Sequence, residues 1–353
     1  MATIVFIVNK SVCGRGESYM KLWKKILLIV LAAAILVPAG TYVLSLDWDR
    51  THRAHVAGLP MFEAGAPDGE YQVRAGDYTY RARIAGMNNE GPNVLLLHGF
   101  PEASIIWEDL IATAAREGFR VVAFDQRGYS PGARPSGVEN YRVPLLISDV
   151  YAVADAVGFD TFHLAGHDWG AVVGWFTVMS NEFSRIKSWA ALSIPHAGVF
   201  FKGTIEDPVQ SERSGYVKFL QRPFLPEFLF TMRAQKSLKD MFARVPAKNR
   251  EEYIRIQAEP GALTAALNWY RAVDVPAIAE GAEFQKPVEL PTLFIWGKND
   301  FVISETVVAS ARALMPEDYT EIALDAGHAL LQHAPDEVIP ALIGHWQNHS
   351  TPE

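Results

Sequence analysis

Residues 162–174 read FHLAGHDWGAVVG, and this stretch decides the fold. The apolar run from Phe162 to Ala165 predicts a buried strand, and the apolar residues from Ala171 onward predict a helix. The pentapeptide GHDWG at 166–170 lies between them, and its two glycines suit a turn that leaves no room for side chains. We therefore predict a strand, a sharp turn and a helix, with the side chain of Asp168 exposed at the top of a sheet.

The central residue of this turn is an aspartate, which sets the chemistry that the turn can perform. An aspartate has a reference pKa of about 3.9, so its carboxylate is already ionised at neutral pH and needs no base to attack. Such a carboxylate can displace a leaving group at an sp³ carbon and form an ester. Asp168 is therefore a candidate nucleophile, and the strand and helix around it support this role more than the short pentapeptide does.

Strand-like and helix-like runs alternate along most of the chain, which is typical of an α/β fold with a mostly parallel central sheet and helices on both faces. The predicted strands are Asn93 to Leu97, Arg120 to Phe124, Phe162 to Ala165, Ser188 to Leu192, Thr292 to Trp296 and Thr320 to Leu324, after a leading hairpin of Tyr71 to Val73 and Tyr78 to Ile84. The predicted helices are Ala103 to Glu117, Val143 to Val157, Ala171 to Ser180, Ser304 to Leu314 and Pro335 to Gln347.

The alternation stops at residues 198–286, which are rich in Phe, Arg and Pro and contain helical-period pieces without a convincing strand. An insertion between two strands of a parallel sheet lies over the carboxyl ends of the strands. We therefore predict a core formed by residues 47–197 and 287–353, covered by a helical lid at 198–286.

The tetrapeptide HGFP at 98–101 directly follows the predicted strand ending at Leu97. In a fold with this kind of turn, the loop at that place supplies one backbone N–H of an oxyanion hole. We predict that the N–H of Phe100 serves this purpose together with the N–H of Trp169. A simpler interpretation, in which His98 and Pro101 only shape a tight turn, is compatible with that role.

An ester on Asp168 must be cleaved by water, which requires a general base and an acid that orients it. His328 follows the strand Thr320 to Leu324, and Asp300 follows the strand Thr292 to Trp296, so both occupy loops at strand ends. The order nucleophile, acid, base along the chain matches the order that this kind of fold uses. Asp325 is an alternative partner for His328, although an aspartate three residues away on a turn is more typical of a cap.

Taken together, these motifs resemble the epoxide hydrolase family of α/β-hydrolases over roughly residues 71–347. The resemblance rests on HGFP at 98–101, DQRGYS at 125–130, GHDWG at 166–170, NDFV at 299–302 and AGH at 326–328. It implies two lid tyrosines that hold and protonate an epoxide oxygen. LNWYR at 267–271 is similar to the family's second lid motif and assigns one of them to Tyr270, and Tyr216 is assigned by its distance from the nucleophile. Core packing is the plainer alternative for each tyrosine.

The resemblance implies that an apolar epoxide is hydrolysed to a vicinal diol through an ester of Asp168, with water as co-substrate and no metal or organic cofactor. We expect the substrate pocket to include His98, Pro101, Trp269 and Phe219. Haloalkane or haloacid dehalogenation is an alternative because it uses the same Asp-His-Asp triad, and a ligand receptor on the same scaffold is another. A serine esterase is disfavoured because the chain contains no Gly-x-Ser-x-Gly.

The N-terminal residues 1–46 contain a stretch of 21 uncharged residues, ILLIVLAAAILVPAGTYVLSL at 26–46, preceded by three lysines. About 20 apolar residues span a bilayer, and lysines on the amino-terminal side favour a cytoplasmic N-terminus. We predict a membrane anchor with the catalytic domain outside the cytoplasm. A cleaved signal peptide, giving a secreted or periplasmic enzyme, is the alternative, and Met20 is an alternative start to Met1.

The composition of the 353 residues excludes several other classes of protein. Hydrophobic residues make up 49% of the chain, which supplies a large core, and the net charge of -8 argues against a protein that tracks a nucleic-acid backbone. The single cysteine, Cys13, cannot form an internal disulfide or a cysteine-ligated metal site.

Overall fold

The computed structural model describes residues 22–33, 36, 51–180 and 183–350 of the chain. An eight-stranded sheet in the order β1-β2-β4-β3-β5-β6-β7-β8 forms its centre. The strands are β1 (Gly69–Ala75), β2 (Tyr78–Ala85), β3 (Asn93–Leu97), β4 (Arg120–Phe124), β5 (Phe162–His167), β6 (Ile186–Leu192), β7 (Thr292–Gly297) and β8 (Tyr319–Leu324).

Helices connect the strands and cover the sheet. They are α1 (Glu108–Arg116), α2 (Val143–Ala156), α3 (Trp169–Val178), α4 (Ala197–Glu206), α5 (Pro208–Arg213), α6 (Gly215–Leu220), α7 (Leu225–Met241), α8 (Ala247–Ala258), α9 (Ala262–Ala272), α10 (Val275–Glu280), α11 (Glu305–Ala311), α12 (Leu330–His333) and α13 (Pro335–Asn348). Short 3₁₀ turns occupy Ser104–Trp107, Val138–Tyr141, Phe183–Arg185, Ala282–Phe284 and Arg312–Leu314.

The sheet confirms the predicted α/β fold and its parallel centre. Strands β1 and β2 form the predicted antiparallel hairpin, with Gly76 at φ 56° in the turn, and β2 pairs antiparallel with β4. The strands from β3 to β8 all run parallel. Parallel strands end at one edge of the sheet, so the loops that follow β3, β5, β6, β7 and β8 meet there.

Burial explains why the central elements are apolar throughout. Every residue of β5 and β7 is buried, as expected for strands that are covered on both faces. Helix α3 is buried along its whole length, which fits its lack of a polar side. The turn at residues 166–170 is thus held between two elements that lie inside the molecule.

Helices α4 to α10 lie between β6 and β7, where the sequence predicts a lid. Ion pairs with two buried arginines join the lid to the core. Glu252 in α8 accepts hydrogen bonds from Arg81 Nη1 at 3.0 Å and Arg83 Nη2 at 2.8 Å, and both arginines belong to β2. The lid is therefore tied to the leading hairpin as well as to the strands at its own ends.

The predicted N-terminal anchor lies mostly outside the described residues. Within the stretch 26–46, residues 26–33 and 36 are helical and exposed. Among the described residues, no helix combines the length and the apolar character needed to cross a membrane. The described chain resumes at residue 51 with a helix over 51–58, and the ring of His52 in this helix forms a buried hydrogen bond with the carboxylate of Glu259 in the lid.

Candidate active site

The turn at residues 166–170 has the strained backbone that its glycines predict. Asp168 has φ 52° and ψ -119°, a conformation that side-chain-bearing residues rarely adopt. A Cβ at Gly166 would lie 2.4 Å from the Gly170 carbonyl oxygen, and one at Gly170 would lie 2.1 Å from the Leu97 carbonyl oxygen. Only glycine fits at either position, so the close approach of β3, β5 and α3 depends on both.

The loop after β3 approaches the carboxylate of Asp168 directly. The backbone N–H of Phe100 donates a hydrogen bond of 2.7 Å to Asp168 Oδ1. A Cβ at Gly99 would lie 2.4 Å from the Asp168 carboxyl oxygen, so this approach requires glycine there. The amide of Trp169, the second predicted oxyanion donor, is the first amide of α3, where helical N–H groups have no intrahelical acceptor.

His328 bridges two carboxylates that come from different strand ends. Its Nε2 lies 3.3 Å from Asp168 Oδ2, and its Nδ1 lies 2.9 Å from Asp300 Oδ2. Asp325, the alternative partner, instead accepts a hydrogen bond from Asn299 Nδ2 at 2.8 Å. The structure thus brings Asp168, His328 and Asp300 together in one chain of contacts.

Ser193 is a fourth member of this cluster that sequence reasoning missed. Its hydroxyl donates to Asp300 Oδ2 at 2.7 Å and lies 2.7 Å from His328 Nδ1. Ser193 is fully buried and has φ 73°, so its backbone is strained like that of Asp168. Ser193 directly follows β6, at the edge of the sheet where the other site residues lie. This position in the sequence could have identified it as a site residue.

The charged groups of the cluster stabilise one another's ionised forms. Burial opposes ionisation of Asp168, but its hydrogen bond and attraction to His328, with the Phe100 amide, lower the pKa of Asp168 below its usual value. Burial likewise opposes ionisation of Asp300, and His328 and Ser193 outweigh it to lower the pKa of Asp300. Burial also disfavours the imidazolium, yet the two carboxylates raise the pKa of His328 well above 6.5. With Asp168 unmodified, His328 is therefore a cation between two anions.

A cavity of about 740 Å³ opens beside Asp168, between the sheet and the lid. Asp168, Tyr216 and Tyr270 all line it, so the candidate nucleophile shares one space with both predicted lid tyrosines. Much of the remaining lining is apolar and comes from both core and lid: Trp169, Val172, Ile194, Phe200, Phe201, Ile205, Val217, Val273, Val275 and Val302.

Both tyrosines keep their protons in this surrounding. Burial raises the pKa of Tyr216, and the negative charges of Asp168 and Asp300 raise it further. Burial raises the pKa of Tyr270 well above its usual value of about 10, and the charges of Tyr216 and Asp168 raise it further. A hydrogen bond with Trp169 lowers this pKa by a smaller amount. The ring of Tyr270 also packs edge-on against Phe100, with centroids 5.1 Å apart. Two O–H donors are thus available to an oxygen atom bound in the cavity.

Comparison with known proteins identifies the family of the chain. A family model described as alpha/beta hydrolase fold matches residues 92–333. The chain belongs to the alpha/beta hydrolase family. Epoxide hydrolase 4 of Homo sapiens is 31% identical over 280 residues, which cover 75% of each chain. Epoxide hydrolase A of Mycobacterium tuberculosis is 30% identical over 304 residues, covering 74% of this chain and 93% of that protein.

Solved structures agree with the family assignment. The crystal structure of epoxide hydrolase A from Mycobacterium thermoresistibile is similar with a TM-score of 0.65 at 25% identity, and the match covers 79% of this chain and 98% of that one. The resemblance to epoxide hydrolases that the motifs indicate is therefore confirmed.

Four residues that were expected in the substrate pocket of this hydrolase lie outside the cavity lining. The ring of His98 is buried and packs against the loop after β4, because its Nε2 accepts from the Gln126 N–H at 3.0 Å. Trp269 donates its indole N–H to the Arg127 carbonyl at 3.0 Å and is buried. Pro101 and Phe219 also do not line it.

His167, which precedes Asp168, is also directed away from the cavity of the hydrolase. Its Nδ1 lies 2.9 Å from Glu102 Oε2, and its Nε2 lies 2.9 Å from the His328 carbonyl oxygen. Burial opposes its charged form, but Glu102 outweighs this effect and raises the pKa of His167. His167 thus links the turn at residues 166–170 to the loop that carries His328.

Proposed function

We propose that this hydrolase converts an apolar epoxide into a vicinal diol through an ester of Asp168. One observation carries the proposal: a carboxylate on a strained turn shares a cavity with two protonated tyrosines and touches an imidazole on its other side. The relatives that carry the name epoxide hydrolase support the same reaction.

In the first half of the proposed reaction, a carboxylate oxygen of Asp168 attacks the less hindered epoxide carbon. A carbon–oxygen ester bond forms while the carbon–oxygen bond of the strained ring breaks. Tyr216 and Tyr270 donate hydrogen bonds to the departing oxygen, and one of them transfers its proton, which solvent later replaces. Two donors that converge on the developing negative charge stabilise it more than they stabilise the neutral epoxide.

In the second half, His328 takes a proton from water, and the resulting hydroxide attacks the ester carbonyl of Asp168. Ester formation has removed one of the two negative charges beside His328, so the pKa of His328 falls, the ring releases its proton to solvent, and the neutral ring can act as a base. Asp300 keeps the ring oriented. The N–H groups of Phe100 and Trp169 stabilise the oxyanion until the diol leaves with the proton that His328 returns.

Single turnover in ¹⁸O-labelled water tests this scheme. We expect the label in the Asp168 carboxylate before it appears in diol, because the diol oxygen of the first turnover comes from the enzyme. His328→Gln should accumulate the ester, detectable by intact-protein mass spectrometry, and Asp168→Asn should be inactive. Label that enters the diol directly in the first turnover would contradict the covalent route, and halide release without diol formation would favour dehalogenation.

We also propose that the enzyme is membrane-anchored or exported, with its catalytic domain outside the cytoplasm. The support is the uncharged stretch at 26–46 and the lysines before it. Fractionation of cells that produce the full chain, with protease added to intact cells, tests this placement. Recovery of the whole protein in the cytosol, protected from protease, would contradict it.

A further inference from the structure

The lid exposes a cluster of large apolar side chains where α7 begins. Phe224, Leu225, Phe228 and Leu229, here called the lid patch, are exposed to 83%, 40%, 39% and 39%. From residue 51 onward, the other exposed large apolar side chains are spread along the chain: Met61, Val138, Leu145, Ile205, Val209, Met241 and Phe301. Scattered residues of this kind are normal, whereas a cluster marks a surface that binds something.

The backbone at the start of the lid patch is strained. Phe224 has φ 63° and ψ -37°, which is a left-handed conformation that a phenylalanine adopts only at a cost in free energy. The strain accompanies an aromatic ring that contacts little of the protein itself. Folding alone does not account for this arrangement, because the ring would be more stable buried.

The segment of the lid that carries the lid patch has a charge opposite to that of the whole chain. Residues 215–244 contain six Lys or Arg and two Asp or Glu, although the chain as a whole carries -8. Arg222, two residues before the lid patch, is exposed, and Lys236 and Lys239 are exposed farther along α7. Exposed Phe and Leu together with Lys and Arg are typical of a helix that lies in the interface of a membrane, and anionic lipids attract such basic segments.

The lid patch borders the cavity. Arg271 lines the cavity, donates to the Arg222 carbonyl at 2.7 Å and pairs with Glu227 at 2.8 Å. Arg222 and Glu227 flank Phe224 and Leu225 in the chain. Ile205, which also lines the cavity, is 53% exposed. A surface that binds the lid patch would therefore lie next to the cavity opening.

The N-terminal side of the chain leads to the opposite end of the helix that carries the lid patch. Thr51 and His52 line a groove together with Lys239 and Ala243, at the end of α7 away from the lid patch. The uncharged stretch ends at Leu46, five residue steps before Thr51, and five extended residues span at most roughly 17 Å. A membrane that holds this stretch would therefore lie within reach of α7.

We propose that the lid patch and the basic residues of 215–244 bind the surface of a bilayer that contains anionic lipids. Binding of this kind turns the cavity opening toward the membrane. An apolar substrate dissolved in lipid then enters the cavity without first dissolving in water. The proposal concerns the lid surface and adds a source of substrate to the proposed reaction.

A fluorescent probe on the lid patch tests this proposal in the full chain. Cys13→Ser removes the single cysteine, and Leu225→Cys then carries an environment-sensitive dye. With vesicles of phosphatidylcholine and phosphatidylglycerol, we expect a blue-shifted emission that quencher-bearing lipids reduce and that salt weakens. Val138→Cys, at a site of similar exposure, is the matched control and should not respond.

Two results would overturn the proposal: an unchanged Leu225 probe, or an equal response at Val138. A shift that grows with protein concentration in the absence of vesicles would show docking of a second copy and would also overturn it.

A triple variant, Phe224→Ser, Phe228→Ser and Leu229→Ser, separates the membrane contact from the chemistry. With the probe at Leu225→Cys, we expect vesicle binding of the lid to weaken at least about tenfold, because buried apolar area is lost. Turnover of a water-soluble epoxide should stay unchanged. Unaltered vesicle binding by this variant would refute the proposal, whereas wild type that binds vesicles but turns over no epoxide would refute only the proposed function.

Discussion

Ser193 contacts both the imidazole of His328 and the Asp300 carboxylate that orients it. Its hydroxyl bonds Asp300 and reaches Nδ1 of the ring at 2.7 Å. The same hydrogen bond helps to keep the pKa of Asp300 low, although burial acts in the opposite direction. We therefore assign Ser193 a positioning role: it acts on the reaction through Asp300 and His328.

Replacement of Ser193 by alanine is expected to slow turnover of epoxide roughly tenfold, since one hydrogen bond to a charged group is lost. The acid limb of the pH–rate profile should move to higher pH, because Asp300 becomes easier to protonate. Both effects are measured by steady-state kinetics across pH.

Ser193→Gly is the matched control for backbone strain. Glycine relaxes the backbone at φ 73° but also lacks the hydroxyl, so we expect the same loss of rate. A glycine variant with the full wild-type rate and pH profile would show that the hydroxyl has no role.

At the scale of secondary structure elements, the contact between α8 and β2 holds the lid over the sheet. Arg81 is almost completely buried and donates to Glu252, Glu70 and Asp125. Arg83 donates to Glu252 and Glu70 as well. Removal of one carboxylate leaves two buried cations with fewer partners, which costs more than the net value of an intact pair.

Glu252→Gln is expected to lower the free energy of unfolding by roughly 2 kcal/mol, as for a lost hydrogen bond to a charged group. Glu251→Gln is the matched control, since Glu251 is exposed and lies 3.7 Å from Arg255 on the same helix. We expect a change of less than about 0.5 kcal/mol for this control. Urea unfolding measures both, and equal losses in the two variants would show that the buried contact does not hold the lid.

At the scale of the whole molecule, His163 ties the sheet to the C-terminal end of the described chain. Its ring lies 2.8 Å from Ser188 Oγ on β6 and 3.1 Å from Ser350 Oγ. Burial, with the nearby His345, His349 and Lys187, lowers the pKa of His163 to about 3. In the unfolded chain, a histidine has a pKa of about 6.5, so the unfolded state takes up the proton first as the pH falls.

The stability that His163 contributes is therefore present above pH 6.5 and is lost as the pH falls toward 3. Between pH 7 and pH 5, this one group should lower the free energy of unfolding by about 2 kcal/mol. His163→Gln is expected to reduce the pH dependence by that amount in urea titrations. Ser350→Ala, which leaves the histidine in place, should keep the wild-type dependence. An unchanged pH dependence in His163→Gln would mean that other groups cause it.

Much of the fold and of the candidate site could be read from the sequence, because both depend on local patterns. The period of apolar residues predicts the central strands, and the positions of Asp168, Asp300 and His328 after parallel strands predict that they meet at one edge. The glycines of the turn predict that backbone segments approach each other closely there, and the structure shows this close approach.

Other features depend on distances that a local pattern does not contain. His98 was expected in the substrate pocket, but its ring is directed by an amide of Gln126, a residue at the end of another strand. Ser193 and Glu252 carry no motif, and their partners lie far away in the chain. Such contacts form only when separate elements pack, since side-chain direction is then set by neighbours from elsewhere in the sequence.

The sequence by itself determined the α/β fold and the identity of a carboxylate nucleophile, because strand period and turn sterics act within a few residues. Only the tertiary structure decided which side chains line the cavity, how the lid is tied to the core, and that Ser193 joins Asp300 and His328. Those arrangements depend on packing and on buried charge between distant segments, and no stretch of the chain encodes them alone.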